Sequence, residues 1–327
     1  MSATDSFRRG LPVGIVQISL AGVLWGTGGL TLQVISDRSP LSFVTISGYR
    51  MLIAAAVLVL AVVVLRRGAE LVALLRASPG LACLVGVGTG AYQALYFGAV
   101  VEVGVTVATV VSLGLAPVLL TAAEAVRHRR HPGGRRLLVL AAALAGLVLV
   151  SGAAGGAATG PRPWLGVALA VASGTTYAAT TALGRPLSQR TDPLALTTVA
   201  TTAGALALVP AALVVGGPLT TGDPVALGAL GYLGVMTMAL AYGLLYAGLR
   251  TTTSTAAVIA SLLEPVTAAI VAGPFLDERV GAVGVVGIVL VLAAVAGAGR
   301  EPVAEAGPAS GPATRRSPRP GRAGAAW

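Results

Sequence analysis

SFVTISGYRMLIAAAVLVLAVVVL, residues 42–65, decides the fold. The stretch is 24 residues long and holds one charge, Arg50, before Arg66 and Arg67 close it. About 20 mostly apolar residues are what an α-helix needs to cross the ~30 Å hydrocarbon core of a bilayer. Hydrocarbon offers no partner to backbone N–H and C=O groups, so a segment crossing it alone is a helix. A strand of a membrane barrel would show about ten residues of alternating character, and this stretch does not alternate.

Working outward, nine further apolar segments of helical length appear at about 12–35, 80–101, 104–126, 136–152, 164–184, 193–216, 225–249, 253–275 and 280–298. The composition agrees. Of 327 residues, 55% are hydrophobic and 10% charged, and the mean hydropathy is +0.87, whereas a soluble domain is about a quarter charged. The expected fold class is therefore an all-α integral membrane protein with ten transmembrane helices. The first run is too long for a signal-peptide core and lacks a small-residue cleavage site, so it is read as a retained span. The single cysteine, Cys83, excludes an intramolecular disulfide and any multi-cysteine metal site. It is read as a small apolar residue of its helix.

All 22 basic residues are arginine, and the formal charge is +10. They are scattered over many loops, so they do not build a nucleic-acid face. They do set orientation. With the N-terminus in the cytoplasm, ten spans return the C-terminus there. Eighteen arginines then lie inside, and only Arg38, Arg162 and Arg279 lie outside, with Arg50 within a span. That asymmetry is the positive-inside rule. The expected location is the inner (cell) membrane, with both termini cytoplasmic.

A shift of 148 residues superimposes the chain on itself. Gly86 falls on Gly234, Thr89 on Thr237, Leu115 on Leu263 and Pro117 on Pro265. Apolar helices match one another cheaply, so the prolines, glycines and threonines carry the point. Five spans per half is an odd number, and the second half enters the membrane upside down. Two inverted five-helix repeats are a transporter architecture, with the substrate site near the midplane between them. The expected organisation is a cytoplasmic N-terminus (1–11), a first repeat (12–152), an outside linker (153–163), a second repeat (164–298) and a disordered cytoplasmic tail (299–327).

The stretch LLEPVTAAIVAGPFLDERV (262–280), with LWG at 24–26, GYRMLIAA at 48–55 and AYGLLYAGLRTTTSTAAVIASLLEP at 241–265, resembles the EamA-type permeases of the drug/metabolite transporter superfamily. The resemblance covers residues 12 to 298. It places a proline near mid-helix and an acidic-basic pair, Glu278–Arg279, about thirteen residues on. The first half departs from the pattern: Arg130 stands where Glu278 has its counterpart, and Ala116 stands for Glu264. No functional role is assigned there. The resemblance also implies that the fifth and tenth spans are peripheral scaffold or dimer contacts, and the small residues Gly281, Gly284 and Gly287 are read as packing.

Charges at mid-membrane cost roughly 2.5–3.5 kcal/mol on insertion scales and persist when paired or wet. Arg50 is eight residues into its span, about 12 Å deep, and Glu264 eleven residues into its own, about 16 Å deep. Two readings stay open: one or both line a substrate cavity, Arg50 gripping a carboxylate and Glu264 an ammonium group or a proton, or they pair with each other and lock two helices. Aromatics are only 4% of the chain. Trp25, Tyr92 and Tyr242 at mid-span are read as cavity residues, with Gln93 and Thr237 as hydrogen-bonding companions. Tyr96 and Tyr246, near span ends, are read as belt residues. Glu124 is read as a snorkelling carboxylate with a local partner, Arg127. His128 and His131 lack further ligands nearby, so no metal site is expected, and no cofactor is expected.

No nucleotide-binding motif is present, so transport would run on gradients or exchange. The expected function is a secondary transporter of a small polar metabolite, an amino acid or similar, acting as an exporter by alternating access. Its expected partners are the solute, a proton or counter-substrate, the lipid bilayer and a second copy in a homodimer, with no nucleic acid. Twelve dispersed acidic residues offer no clustered catalytic set, so an enzyme is not expected. A non-transporting scaffold or regulatory subunit, and a multidrug or cationic-compound efflux carrier, remain as alternatives.

Overall fold

The computed structural model describes residues 13–129, 131–153, 162–215, 217–276 and 281–300. Residues 1–12, 154–161, 216, 277–280 and 301–327, and with them Glu278 and Arg279, lie outside the described residues, as does Arg130. Among the described residues there are helices and no strands. In chain order they are α1 (Val13–Arg38), α2 (Phe43–Val64), α3 (Gly68–Ala77), α4 (Pro79–Val103), α5 (Val105–His128), α6 (Gly134–Ala153), α7 (Pro163–Arg190), α8 (Pro193–Val215), α9 (Pro224–Leu249), α10 in two pieces (Ser254–Ser261 and Leu263–Leu276) and α11 (Ala282–Ala298).

Local chemistry fixes the boundaries. Prolines open α4, α7 and α9, where the missing N–H has no helical partner to lose. Ser42, Asp223 and Thr253 cap α2, α9 and α10 by accepting the N–H of Thr45, Ala226 and Ala256. A single residue joins α4 to α5. It is Gly104, at φ 86°, a left-handed conformation that glycine adopts without strain.

Eight helices (α1, α2, α4, α5, α6, α8, α9 and α10) are long and apolar enough to cross a membrane. α11 is apolar but shorter, at 17 residues. α7, at 28 residues, is diluted by Thr175, Thr176, Thr180 and Thr181. One element was not expected. The loop after α2 forms α3, a ten-residue amphipathic helix that buries Leu74 and exposes Val72 and Arg76. Arginines at 66, 67 and 76 mask it in the sequence as a polar connection, and it is too short to cross a bilayer.

Helices from the two halves of the chain pack on one another. α4 lies against α7 and α8, α2 against α8, α1 against α9 and α10, and α6 against α11. Small residues allow the approach. A side chain on Gly86 would collide with the Ala200 backbone, and one on Gly26 with the Glu264 carbonyl. Gly287 sits against the Gly146 backbone, which joins α11 to α6 within the chain. Gly284 is buried and borders the cavity described below, and among the described residues nothing lies within 4 Å of a side chain placed on Gly281. Large apolar side chains such as Leu138, Leu206 and Val214 are exposed on the outside of the bundle. Cys83 is exposed as well, and is not a packed core residue.

Cross-links define two faces. On the arginine-rich face, Arg67 bonds Glu70 (2.8 Å) and Asp192 (2.7 Å), and Arg185 donates to the Thr252 carbonyl (2.7 Å). Glu124 also lies here, but its partner is not Arg127. It pairs with Arg136 of α6 and accepts the Thr255 hydroxyl of α10 at 3.1 Å. Arg127 on α5 is exposed, whereas the α5–α6 turn brings Arg136 back beside Glu124. On the opposite face, Arg162 holds Glu102 with two bonds of 3.0 and 2.5 Å, and Tyr49 donates to the Leu219 carbonyl (2.6 Å).

Candidate functional site

A cavity of about 530 Å³ lies between the helices. Its wall draws on the C-terminal halves of α1, α4 and α6, on the N-terminal halves of α2, α5 and α11, and on the middle of α7, α9 and α10. It therefore occupies the arginine-poor half of the bundle. Trp25, Phe43, Tyr92, Tyr96, Phe97, Tyr177 and Tyr242 all border it. Those seven are half of the 14 aromatic residues in the chain, so the cavity concentrates aromatic surface that the sequence otherwise spends sparingly.

Arg50, Glu264, Trp25, Tyr92, Gln93 and Tyr242 are brought together on this wall. Arg50 and Glu264 do not pair. Five ion pairs occur among the described residues, and neither residue takes part in any of them. Both border the same space, and the buried Nε of Arg50 has no hydrogen-bond partner among the described residues. Gln93 has only a long bond, 3.4 Å from Nε2 to the Thr89 carbonyl, and its Oε1 is buried without a partner. A buried acceptor left this way costs about 1–3 kcal/mol, unless something in the cavity completes it.

Thr237 does not line the cavity. It stands behind Arg50, fully buried, and organises the wall. Its hydroxyl accepts Arg50 Nη2 at 2.9 Å and donates to the Leu233 carbonyl at 2.7 Å, and its own carbonyl accepts Trp25 Nε1 at 2.8 Å. The segment around it, Leu233–Leu240, is wound as a π-helix inside α9. Such wide turns are rare and cluster at functional sites. Here one threonine in the turn serves a neighbour on α1 and another on α2.

The aromatic residues touch one another. Trp25 meets Tyr242 edge-on at 5.2 Å, and Tyr92 stacks on Tyr177 at 4.9 Å. Tyr96 is no belt residue: it borders the cavity and shares a 2.7 Å hydrogen bond with Thr109. Tyr246 is buried as well, so its ring is not on the outer surface of the bundle. Both lie where α4 and α9 are covered by neighbouring helices, which their positions along the chain do not reveal. Tyr177 and Ser151 were not singled out as site residues by sequence. Mid-span position was a signal for Tyr177. Ser151, buried with an unpartnered hydroxyl, carried none. His128 and His131 are exposed, and no cluster of metal-ligating side chains occurs among the described residues.

Comparison with known proteins agrees with this architecture. The model of the EamA-like transporter family matches twice, over residues 12–152 and 164–300. An uncharacterized transporter of Bacillus subtilis (strain 168), YwfM, is 30% identical over 279 residues, covering 84% of this chain and 90% of that protein. A solved crystal structure shares the fold with a TM-score of 0.72 and 19% identity, over 87% of this chain and 96% of its own.

Proposed function

The chain belongs to the EamA-like transporter family, and from that premise we propose that it is a secondary carrier of small zwitterionic solutes, amino acids or similar metabolites. One observation carries the reading: Arg50 and Glu264 face one cavity without pairing with each other. Two opposite charges at mid-depth are costly in a membrane, and a solute bearing a carboxylate and an ammonium group would complete both. The guanidinium offers a fork of donors to the first, and Glu264 accepts from the second. Tyr and Trp faces around them suit an apolar body and attract a cation.

The chain works as ten spans in two inverted five-helix halves that exchange access to this site. In that scheme the arginine-rich face is cytoplasmic, both termini lie there, and the membrane is the inner (cell) membrane. The cavity then reaches the outer side, which is the release end of an export cycle driven by a proton or a counter-substrate. The test is flux from proteoliposomes loaded with amino acids, amines or drug-like cations. Zwitterions are expected to move, and Arg50→Ala to abolish movement while the melting temperature holds. No flux of any solute from folded protein overturns the reading, and flux of amines alone transfers it to cation efflux.

A further inference from the structure

Beneath the cavity lies a second, far smaller space of about 10 Å³, at the lower limit of what one water molecule needs. Tyr92, Tyr177 and Tyr242 border both spaces. The other residues around the small void, Thr89 on α4, Thr180 and Thr181 on α7, and Leu245 and Tyr246 on α9, all lie along their helices toward the arginine-rich face. The three tyrosines are thus a partition. A chamber of about 530 Å³ lies on one side, and a space of about 10 Å³ lies on the other.

The partition is tied to the broken helix by one bond. The Tyr177 hydroxyl donates to Ser261 Oγ at 2.9 Å, and Ser261 donates onward to the Val258 carbonyl at 2.8 Å. Ser261 is the last residue of the first piece of α10. The helix gives way at Leu262, and Glu264 stands in the first turn of the second piece. The ring of Tyr177 meanwhile stacks on Tyr92, at 4.9 Å. One side chain therefore touches the floor, the cavity and the helix break at once.

We propose that Tyr177 is a positioning residue that latches the cavity floor: its bond to Ser261 ties the tyrosine partition to the helix carrying Glu264, so that the passage below opens only when that bond breaks. The proposal takes its purpose from the transport reading, but its test needs no solute.

Cys83 is exposed and is first replaced by Ala. A single cysteine is then placed below the floor as Thr180→Cys, and its labelling by a membrane-impermeant maleimide is timed from the arginine-rich side. Tyr177→Phe keeps the ring and loses the hydroxyl. Ser261→Ala removes the partner. Each is expected to speed labelling by roughly two- to tenfold, the weight of one hydrogen bond. The double variant is expected to add nothing, because both changes delete the same bond. Unchanged labelling in both single variants overturns the proposal. Fully additive effects also overturn it, since they would mean general loosening. A protein that labels as expected but carries no solute would sink the transport reading and leave the latch standing.

Discussion

Two helices of this molecule carry a proline at the same offset of 148 residues, yet they end in opposite states. In α5, Pro117 lies inside a helix that runs unbroken from Val105 to His128, and Ala116 beside it is fully buried in the core. In α10, Pro265 follows a break at Leu262, and Glu264 beside it faces the cavity. An internal proline removes one N–H and crowds the carbonyl four residues back, here Leu113 in α5 and Ser261 in α10. The same perturbation therefore sits in both helices. Only in α10 does it coincide with a charge to be presented and with a tyrosine bonded to Ser261. A weak point in a helix becomes part of a site when neighbouring helices give its polar groups something to meet; otherwise it is absorbed as packing.

The harshest way to break this comparison is to make the two helices alike. Ala116→Glu puts a carboxylate in a fully buried position that borders neither of the two cavities described. It is expected to destabilise the fold by at least about 2.5 kcal/mol, read as a large fall in melting temperature or a loss of folded protein in detergent. A well-folded Ala116→Glu protein would mean that the α5 environment is wetter than its packing implies.

The reverse change is smaller and falls on binding. Glu264→Gln keeps the shape and removes the charge. A hydrogen bond to a charged group contributes about 1.5–3 kcal/mol, so apparent affinity for a zwitterion is expected to fall roughly 10- to 150-fold, with the melting temperature of the free protein nearly unchanged. A solute lacking the ammonium group should lose far less. Equal losses for both solutes would remove Glu264 from direct contact with the transported molecule.

What the sequence displayed and what it hid divide along a physical line. A bilayer imposes its length on every span, so the eight helices long and apolar enough to cross it were readable from apolar runs alone. Arg50 and Glu264, which border the cavity, stood out in the sequence because a charge in hydrocarbon demands a reason. Partners were not readable. Glu124 has Arg127 three residues away in sequence, but meets Arg136 and Thr255 in space, because the choice depends on which helix ends converge. Tyr177 looked like any other mid-span aromatic until α7 was seen beside α4 and α10. The π-helical turn in α9 left no mark in the residue pattern, since Leu233–Leu240 has the composition of an ordinary apolar helix. Its role shows only in the bonds Thr237 makes on either side.

Those bonds give the gentlest test. Thr89 and Thr237 stand at the same offset of 148, and both donate their hydroxyls to the carbonyl four residues back, at 2.8 and 2.7 Å. Thr237 alone also accepts from Arg50. Valine replaces threonine with nearly the same shape and no hydroxyl. Thr237→Val should strip Arg50 of its one protein hydrogen bond among the described residues, loosen the guanidinium, and weaken binding of carboxylate-bearing solutes by roughly two- to tenfold. Thr89→Val, which leaves Arg50 untouched, should change that affinity little. Isothermal titration of the two variants against one solute separates them. If both lose affinity equally, the threonines act through helix packing, and Thr237 does not work through Arg50.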